Sequence, residues 1–262
     1  MAVDEAILVA TGRRESQSTL RLYAWEPACL SLGYSQPFTD VDEIALKTFG
    51  WEVVRRPTGG RAILHADELT YAVITPSTEP LLSGNLLESY RRISHALISA
   101  LHSLGLPAQT LEKPQMLLMD GDQGQSIERN APVCFEIPSN YEITIEGKKL
   151  IGSAQARRRE GMLQHGSLPL QGDLTRITRA LRYPDEHNRQ LAAGRLLARA
   201  TTVEASLCRP LVWETCSQAL VTAFQEVFQL EFIPGELTQA ERRRADQLVL
   251  EKYAHPAWTE RV

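Results

Sequence analysis

The segment that decides the fold of this chain is Cys134-Phe-Glu-Ile-Pro-Ser-Asn-Tyr-Glu-Ile-Thr-Ile-Glu-Gly-Lys-Lys149-Leu-Ile-Gly-Ser-Ala-Gln155. From Tyr141 onward apolar and polar residues alternate as on a β-strand, and Gly147-Lys148 is typical of a hairpin turn. The turn predicts a returning strand with two different faces. The first face would carry Lys149, Ile151, Ser153 and Gln155. The second would carry Leu150, Gly152, Ala154 and Ala156, which are small and apolar enough to pack on helices.

The polar face of the returning strand indicates a lined site, although a solvated face of an edge strand explains the alternation equally well. The turn predicts a register in which Ser153 lies opposite Glu142. Cys134 lies farther out along the chain, so the spacing permits its contact with Lys149 without requiring it. If the two do meet, the ammonium group lowers the pKa of the thiol and favours the nucleophilic thiolate.

The surrounding sequence mixes helices and strands without strict βαβ alternation, which predicts the α+β class. Asn85 has the pattern of a helix N-cap, and Gly105 follows the last apolar residue of that helix. Thr238-Gln-Ala-Glu241 predicts a capping box. The sequence pattern from about residue 172 to residue 262 predicts a largely helical part. No domain boundary is visible, so residues 1–262 are expected to form a single domain.

Composition excludes several classes of function. The 262 residues carry a net charge of −4, which does not predict a nucleic-acid partner. No apolar run approaches the roughly 20 residues of a membrane span, and the first residues lack a signal-peptide pattern. We therefore expect a cytoplasmic protein without a membrane partner. The glycine-rich phosphate loops of nucleotide-binding proteins are also absent from the sequence.

Four cysteines are present, at positions 29, 134, 208 and 216, and none has zinc-site spacing to another cysteine or a histidine. We predict no metal. Cys29, Cys208 and Cys216 lie in or beside apolar patterns and are expected to behave as small hydrophobic residues. Cys134 differs because it follows a polar loop and stands beside other reactive groups.

A second motif, Arg55-Arg-Pro-Thr-Gly-Gly-Arg61 with His65 four residues later, follows a predicted strand. Paired glycines let the backbone approach a ligand closely, and exposed amides with arginines attract an anion or a carbonyl group. A tight hairpin with solvated charges is the alternative interpretation.

Taken together, the motifs resemble the lipoate/biotin protein ligase and acyltransferase superfamily. The resemblance rests on Arg-Arg-Pro-Thr-Gly-Gly-Arg with its histidine, on Gly-Lys-Lys-x-x-Gly-Ser-Ala-Gln and on Gln164-His-Gly-Ser167. Within it, Cys-Phe-x-x-Pro-Ser-x-Tyr-Glu is similar to the cysteine-dependent octanoyltransferases of the LipM type. The resemblance implies one biotin/lipoate ligase-type catalytic domain, with a mixed β-sheet flanked by helices.

The resemblance also implies a reaction: transfer of an octanoyl group from octanoyl-acyl carrier protein to a lysine of a lipoyl domain. The acceptor would be a protein such as the glycine cleavage H protein or a 2-oxoacid dehydrogenase E2 subunit. The exchange of one thioester for another needs no ATP, and no cofactor is expected. By the resemblance, Cys134 is the nucleophile and Lys149 stands beside the acyl thioester. The implied substrate-binding residues are Arg56, Gly59, Gly60, Arg61, His65, Gly152, Ser153, Gln155, His165 and Gly166.

Two positions depart from the family's pattern. Ala66 stands where an aspartate commonly follows the histidine, and Ala72 stands where a serine often follows Thr-Tyr. Three other functions remain open at this point. They are an amidotransferase that moves octanoyl groups between lipoyl domains, an ATP-dependent lipoate ligase, and a non-catalytic protein that binds lipoyl domains.

Overall fold

The computed structural model describes residues 1–111, residue 133 and residues 142–262. A six-stranded sheet, in the order β1-β5-β9-β8-β7-β6, forms the centre of the described fold, and its neighbouring strands are antiparallel. Its strands are β1 Thr19–Tyr23, β5 Glu68–Pro76, β6 Gln109–Leu111, β7 Glu142–Ile145, β8 Lys148–Arg157 and β9 Gly161–Pro169.

A smaller sheet of three strands has the order β3-β2-β4. These strands are β2 Cys29–Leu32, β3 Glu52–Arg55 and β4 Ile63–His65. β2 runs parallel to β3 and antiparallel to β4, so this sheet is mixed. The small sheet carries the Gly59-Gly60 loop, and the polypeptide passes from β4 into β5 of the large sheet through two residues.

Helices cover both sheets. They are α1 Ala2–Gly12, α2 Glu43–Phe49, α3 Leu86–Ser103, α4 Glu186–Arg199, α5 Val203–Leu207, α6 Trp213–Phe228, α7 Gln239–Leu248 and α8 Pro256–Thr259. Helices α3 and α6 pack on one face of the large sheet and form its main apolar core with residues such as Tyr71 and Leu168. α1 packs on the other face, where Ile7 and Leu8 contact Ala72, Ile74 and Leu163. The α+β class is confirmed.

Several predicted element boundaries are confirmed. The Asn85 side chain accepts a hydrogen bond from the Glu88 amide, and Glu88 bonds back, which completes a capping box at the start of α3. Thr238 and Glu241 form the same motif at the start of α7. Gly105 follows α3 and has a positive φ of 84°. The part after residue 172 is mainly helical.

The predicted turn of the β7–β8 hairpin is wrong by one residue, and the predicted register is wrong with it. The turn is Glu146-Gly147, in which both residues have positive φ (50° and 76°), rather than Gly147-Lys148. Two-residue turns of this kind match the twist of the flanking strands. Ile145 therefore pairs with Lys148, and a bulge between Ile143 and Thr144 shifts the rest of the ladder.

No helix within the described ranges combines the length and the apolar character that a membrane crossing requires.

Candidate active site

A cavity opens where the small sheet meets the centre of the large one. Its empty volume is about 370 Å³, including the part open to solvent. The walls are formed by Met1, Arg56, Gly60, Ile63, His65, Thr70, Gly152, Ser153, Ala154, His165, Gly166 and Ser167. Seven of the ten predicted substrate-binding residues are among them, although they come from three separate segments of the chain. The fold thus brings the Gly59-Gly60 loop, the returning strand and the His-Gly-Ser strand together around one space.

A buried carboxylate, which the sequence did not reveal, organises one wall of this cavity. Glu68 at the start of β5 is 4% exposed and accepts hydrogen bonds from His65 Nδ1 at 2.7 Å and from the hydroxyls of Thr70 and Ser167. Its donors lie on β4, on β5 and on β9. The carboxylate therefore fixes the His65 ring and joins three strands of the cavity wall.

The same hydrogen-bond chain continues from His65 to Arg56. His65 Nε2 lies 2.6 Å from the Ser31 hydroxyl, and the Arg56 guanidinium donates to that oxygen at 2.6 Å and to the Ser31 carbonyl at 2.8 Å. The chain thus connects the Glu68 carboxylate to the Arg56 guanidinium through His65 and Ser31.

Trp25 covers the other side of His65. The two rings stack with their centroids 4.4 Å apart, and the Trp25 indole N–H donates to the Thr70 hydroxyl at 2.9 Å. Thr70 is itself a donor to Glu68, so Trp25 closes the network that holds the imidazole. Neither Trp25 nor Ser31 was among the predicted site residues.

His165 forms the floor of the cavity and is a neutral imidazole. Its Nε2 lies 2.7 Å from the Thr58 hydroxyl, and Nδ1 has no hydrogen-bond partner among the described residues. Burial lowers the pKa of His165 to about 3, because the imidazolium would lose its hydration; nearby Asp4 favours the charged form and Arg56 opposes it. The Thr58 contact also ties the Gly59-Gly60 loop to the central sheet.

Two of the three arginines around Gly59-Gly60 have different roles, whereas all three were expected to attract an anion or a carbonyl group. Arg55 is fully buried, and its guanidinium donates to backbone carbonyls, among them those of Gly33, Gln36 and Thr259. Arg55 thus joins the small sheet to helix α8. Arg56 lines the cavity, and it also holds the loop by donating to the carbonyls of Gly59 and Arg61.

The glycine loop itself is shaped by a close backbone approach. Gly60 has a φ of 95°, and its carbonyl oxygen would lie only 1.8 Å from a Cβ placed on Gly33. Both positions therefore require glycine. Gly59 is exposed and has open space around it, and it does not line the cavity.

Gly152 and Ala154 provide most of the returning strand's share of the cavity wall, and Ser153 is the one residue of the predicted polar face among the lining residues. Gly152 and Ala154 point to the same side as His165 and Ser167, their partners on β9, whereas the polar face turns towards α3. The Gln155 amide there donates to Ser89 of α3 at 3.1 Å and to Gln164 at 2.9 Å. Ser153 bonds to Tyr71 at 2.7 Å. Gln155 is not among the residues that line the cavity, and most of the polar lining residues lie on other strands.

Lys149 is a buried cation on β8. It is 4% exposed, and its ammonium donates to Glu142 at 2.7 Å. Glu142 lies on the neighbouring strand β7 and was not among the predicted site residues. Cys134, the predicted nucleophile, lies outside the described residues. Val133, which precedes it in the chain, is buried and forms a β-bridge with Ala62.

The three described cysteines differ in their surroundings. Cys29 and Cys216 are buried, and burial raises the pKa of these thiols to about 12 and about 11. Both are inert at neutral pH, as expected for small core residues. The expectation was wrong for Cys208, which is exposed at the end of α5.

No group of three metal-ligating side chains occurs in the portion of the chain that the structure describes. The chemistry available in the described cavity is that of two buried imidazoles, a guanidinium and backbone amides beside small apolar surfaces. Such a combination can hold a carbonyl group and an attached alkyl chain.

The fold and site define a known class of catalytic domain. The family described as "Lipoyl protein ligase A/B catalytic domain" matches residues 1–225. Among solved structures, a bipartite lipoate protein ligase from Thermoplasma acidophilum, studied with its E2 lipoyl domain, superimposes with a TM-score of 0.77. It is 25% identical, and the match covers 99% of this chain and 89% of that one. A lipoate-protein ligase A bound with ATP has the same fold, with a TM-score of 0.74 at 24% identity, over 99% and 92% of the two chains.

The relatives known by sequence identify the family within this class. "Octanoyltransferase LipM" of Kyrpidia tusciae is 40% identical over 262 residues, which covers 100% of this chain and 93% of the relative. The chain therefore belongs to the octanoyltransferases of the LipM family, and it is an acyltransferase of lipoate biosynthesis.

Proposed function

We propose that this protein moves an octanoyl group from octanoyl-acyl carrier protein to a lysine of a lipoyl domain, through a thioester on Cys134. The observation that carries the proposal is the convergence of Arg56, His65 and His165 on one cavity in a chain of this family. The cavity joins polar groups that suit a thioester carbonyl to small apolar surfaces that suit an alkyl chain. Burying an alkyl chain contributes roughly 0.8 kcal/mol per methylene.

In the first half of the reaction, the Cys134 thiolate attacks the thioester carbonyl of the donor. A new carbon–sulfur bond forms, and the tetrahedral oxyanion collapses with loss of the carrier thiol, which takes up the proton that Cys134 released. Backbone amides of the Gly59-Gly60 loop or the Lys149 ammonium are the candidate donors to the oxyanion. Lys149 also favours the thiolate by its charge, while Glu142 keeps this buried ammonium paired.

In the second half, the neutral amine of the acceptor lysine attacks the octanoyl–Cys134 carbonyl. The carbon–nitrogen bond forms, Cys134 leaves as the thiolate, and the amine proton passes to it. An amide replaces a thioester, so this step runs downhill without ATP. The Thermoplasma ligase has an E2 lipoyl domain of its own, which supports a lipoyl domain as acceptor for the present chain as well.

Intact-protein mass spectrometry tests the proposal. After mixing with octanoyl-acyl carrier protein, the wild-type chain should gain the mass of one octanoyl group and lose it when a lipoyl domain is added. Cys134→Ala should gain none, because its thiol is missing. Cys208→Ala is the matched control and should still be acylated, since it removes an exposed thiol away from the cavity.

The same assay separates the alternatives. Acylation by an octanoylated lipoyl domain but not by the carrier protein would identify an amidotransferase. A requirement for free octanoate with ATP would identify a ligase. Binding of a lipoyl domain without any acyl transfer would contradict the catalytic assignment.

A further inference from the structure

A second cavity lies beside the first and has no role in the function described above. Its walls come from β4, β9, the 3₁₀ turn Leu174–Arg179 and α4, and its empty volume is about 440 Å³, including the part open to solvent. Most of its lining is apolar, with Ile63, Leu64, Val133, Leu174, Ile177 and Leu196 as the main contributors. The charged residues in its lining are Glu68, Asp173 and Arg176.

The two cavities are neighbours that share part of their walls. Ile63 and Ser167 line both of them. Glu68 lines the second cavity, and through its hydrogen bond to His65 it also shapes the first. Val133, the residue that precedes Cys134 in the sequence, belongs to the lining of the second cavity.

We infer that the second cavity binds the pantetheine-type arm of the acyl donor, a site that rests on the proposed function. A thioester carbonyl carries two substituents, an acyl chain and a thiol arm, and both must be accommodated while a sulfur nucleophile attacks. The first cavity takes the acyl chain, so the arm needs a second space that begins at the shared wall. The methylene and dimethyl groups of a pantetheine arm suit the apolar lining.

Arg176 supplies the group that recognises the far end of the arm, which is a phosphodiester in a carrier protein. Its side chain is 32% exposed. Nε donates to the Asp173 carbonyl at 3.0 Å and one terminal nitrogen donates to Asp67 at 2.5 Å, whereas the other terminal nitrogen has no hydrogen-bond partner among the described residues. A guanidinium can hold a carboxylate on one edge and a phosphate oxygen on another.

The nearby carboxylates leave room for that anion. The Asp173 carboxylate caps the 3₁₀ turn that follows it. It accepts hydrogen bonds from the Thr175 amide at 2.8 Å and from the Thr175 hydroxyl at 2.7 Å. Desolvation by burial acts to raise the pKa of Asp173, but these hydrogen bonds and the charges of Arg176 and Arg179 together outweigh it, so the pKa is lowered. Asp67 is paired with Arg176 itself.

Two truncated donors test the site: octanoyl-phosphopantetheine and octanoyl-pantetheine, which lacks the phosphate. Arg176→Ala should raise the KM for acylation of Cys134 by the phosphorylated donor about tenfold, the effect of losing one hydrogen bond to a charged group. It should leave the KM for the unphosphorylated donor unchanged. Arg179→Ala is the matched control, since Arg179 belongs to the same 3₁₀ turn but does not line the cavity. Its guanidinium lies 5.9 Å from the centroid of the Phe49 ring.

A second variant fills the cavity itself. Leu174 is half-buried in its wall, so Leu174→Trp should slow acylation of Cys134 by both donors. Transfer of the octanoyl group from the preformed acyl-enzyme to a lipoyl domain should keep its wild-type rate. Circular dichroism shows whether the variant is folded; if it is not, the Arg176 comparison still decides.

Three results would overturn the site. The first is an equal effect of Arg176→Ala on both donors, and the second is no effect on either. The third is slowing of the second half-reaction by Leu174→Trp, which would assign the cavity to the acceptor. The proposed function fails in a different way, since the wild-type chain would then form no adduct with either donor or with the carrier protein.

Discussion

Glu68 is the single residue on which the polar wall of the candidate active site depends. Its carboxylate receives three side-chain donors, and through His65 and Ser31 it is connected to Arg56. A buried carboxylate is stable only when its acceptor sites are filled, as they are here. We therefore regard Glu68 as a positioning residue for the imidazole and the guanidinium.

Glu68→Gln should lower the rate of Cys134 acylation about ten- to hundredfold, because its amide nitrogen cannot accept the hydrogen bond from Ser167 or Thr70. The His65 ring and the Arg56 guanidinium then lose their fixed orientation. Single-turnover acylation measured by mass spectrometry gives the rate, and its dependence on donor concentration separates kcat from KM.

The conservative variant distinguishes positioning from simple folding. Glu68→Asp keeps the negative charge and should recover part of the rate lost in Glu68→Gln. Equal rates in Glu68→Gln and the wild type would show that the network has no part in the reaction. Equal losses in the two variants, with matching losses of thermal stability, would indicate a structural role alone.

The residues that sequence reasoning could find are those in local motifs. Arg56, Gly60 and His65 follow one another within a few positions, and their order carries the family resemblance. Ser31 and Trp25 are isolated in the sequence and reach the site only because the strands converge. Glu68 lies only three residues after His65, but nothing in the local sequence shows that its carboxylate is buried. Arg55 and Arg56 are adjacent in the chain, yet only the fold shows that the first is structural and the second lines the cavity.

At the level of elements, helix ends were more predictable than strand faces. Asn85 and Thr238 form caps with residues three positions away, so local sequence is enough to predict them. The face that β8 turns to the cavity depends instead on what packs against each side of the sheet. Alternation shows that the two faces differ but not which one meets the helices.

Gly166 allows β9 to pack tightly against its neighbours. A Cβ placed there would lie 2.5 Å from Tyr71 Cε1, 2.7 Å from the Ser153 hydroxyl and 2.8 Å from the Gly152 carbonyl. Gly166→Ala should therefore lower the free energy of unfolding by about 1–3 kcal/mol, the usual cost of overpacking. Urea denaturation measures the change.

Gly59 is the matched control for Gly166. Both were predicted to line the pocket, but a Cβ on Gly59 meets nothing within 4 Å. Gly59→Ala should change the free energy of unfolding by less than about 0.5 kcal/mol. A comparable loss in the two variants would mean that the crowding around Gly166 is relieved at little cost.

At the scale of the whole molecule, burial of His165 links stability to pH. Its pKa is about 3 in the folded protein and 6.5 for the ordinary side chain, so below pH 6.5 the unfolded chain binds a proton that the folded chain does not. The stabilising contribution is thus present above pH 6.5 and is lost as the pH falls towards 3. The slope is at most about 1.4 kcal/mol per pH unit.

His165→Gln should remove this contribution, because an amide does not titrate. Urea denaturation at pH 7, 6 and 5 should show a smaller fall in the free energy of unfolding than for the wild type. His187→Gln, which alters an exposed histidine on α4, should keep the wild-type slope. Parallel curves for the wild type and His165→Gln would contradict a neutral, buried His165.

The pairing of β5 with β9 also has a consequence for folding. Glu68 lies beside Pro169 and Pro76 beside Gly161, so the two central strands of the large sheet meet only after a long loop has closed. Closing such loops costs chain entropy before any contact forms, and folding slows as the average sequence separation of contacts grows. During synthesis, β5 must therefore leave the ribosome without the strand that covers its edge. In that interval its apolar run Ala72-Val-Ile74 is the segment of this sheet where we expect chaperones to bind.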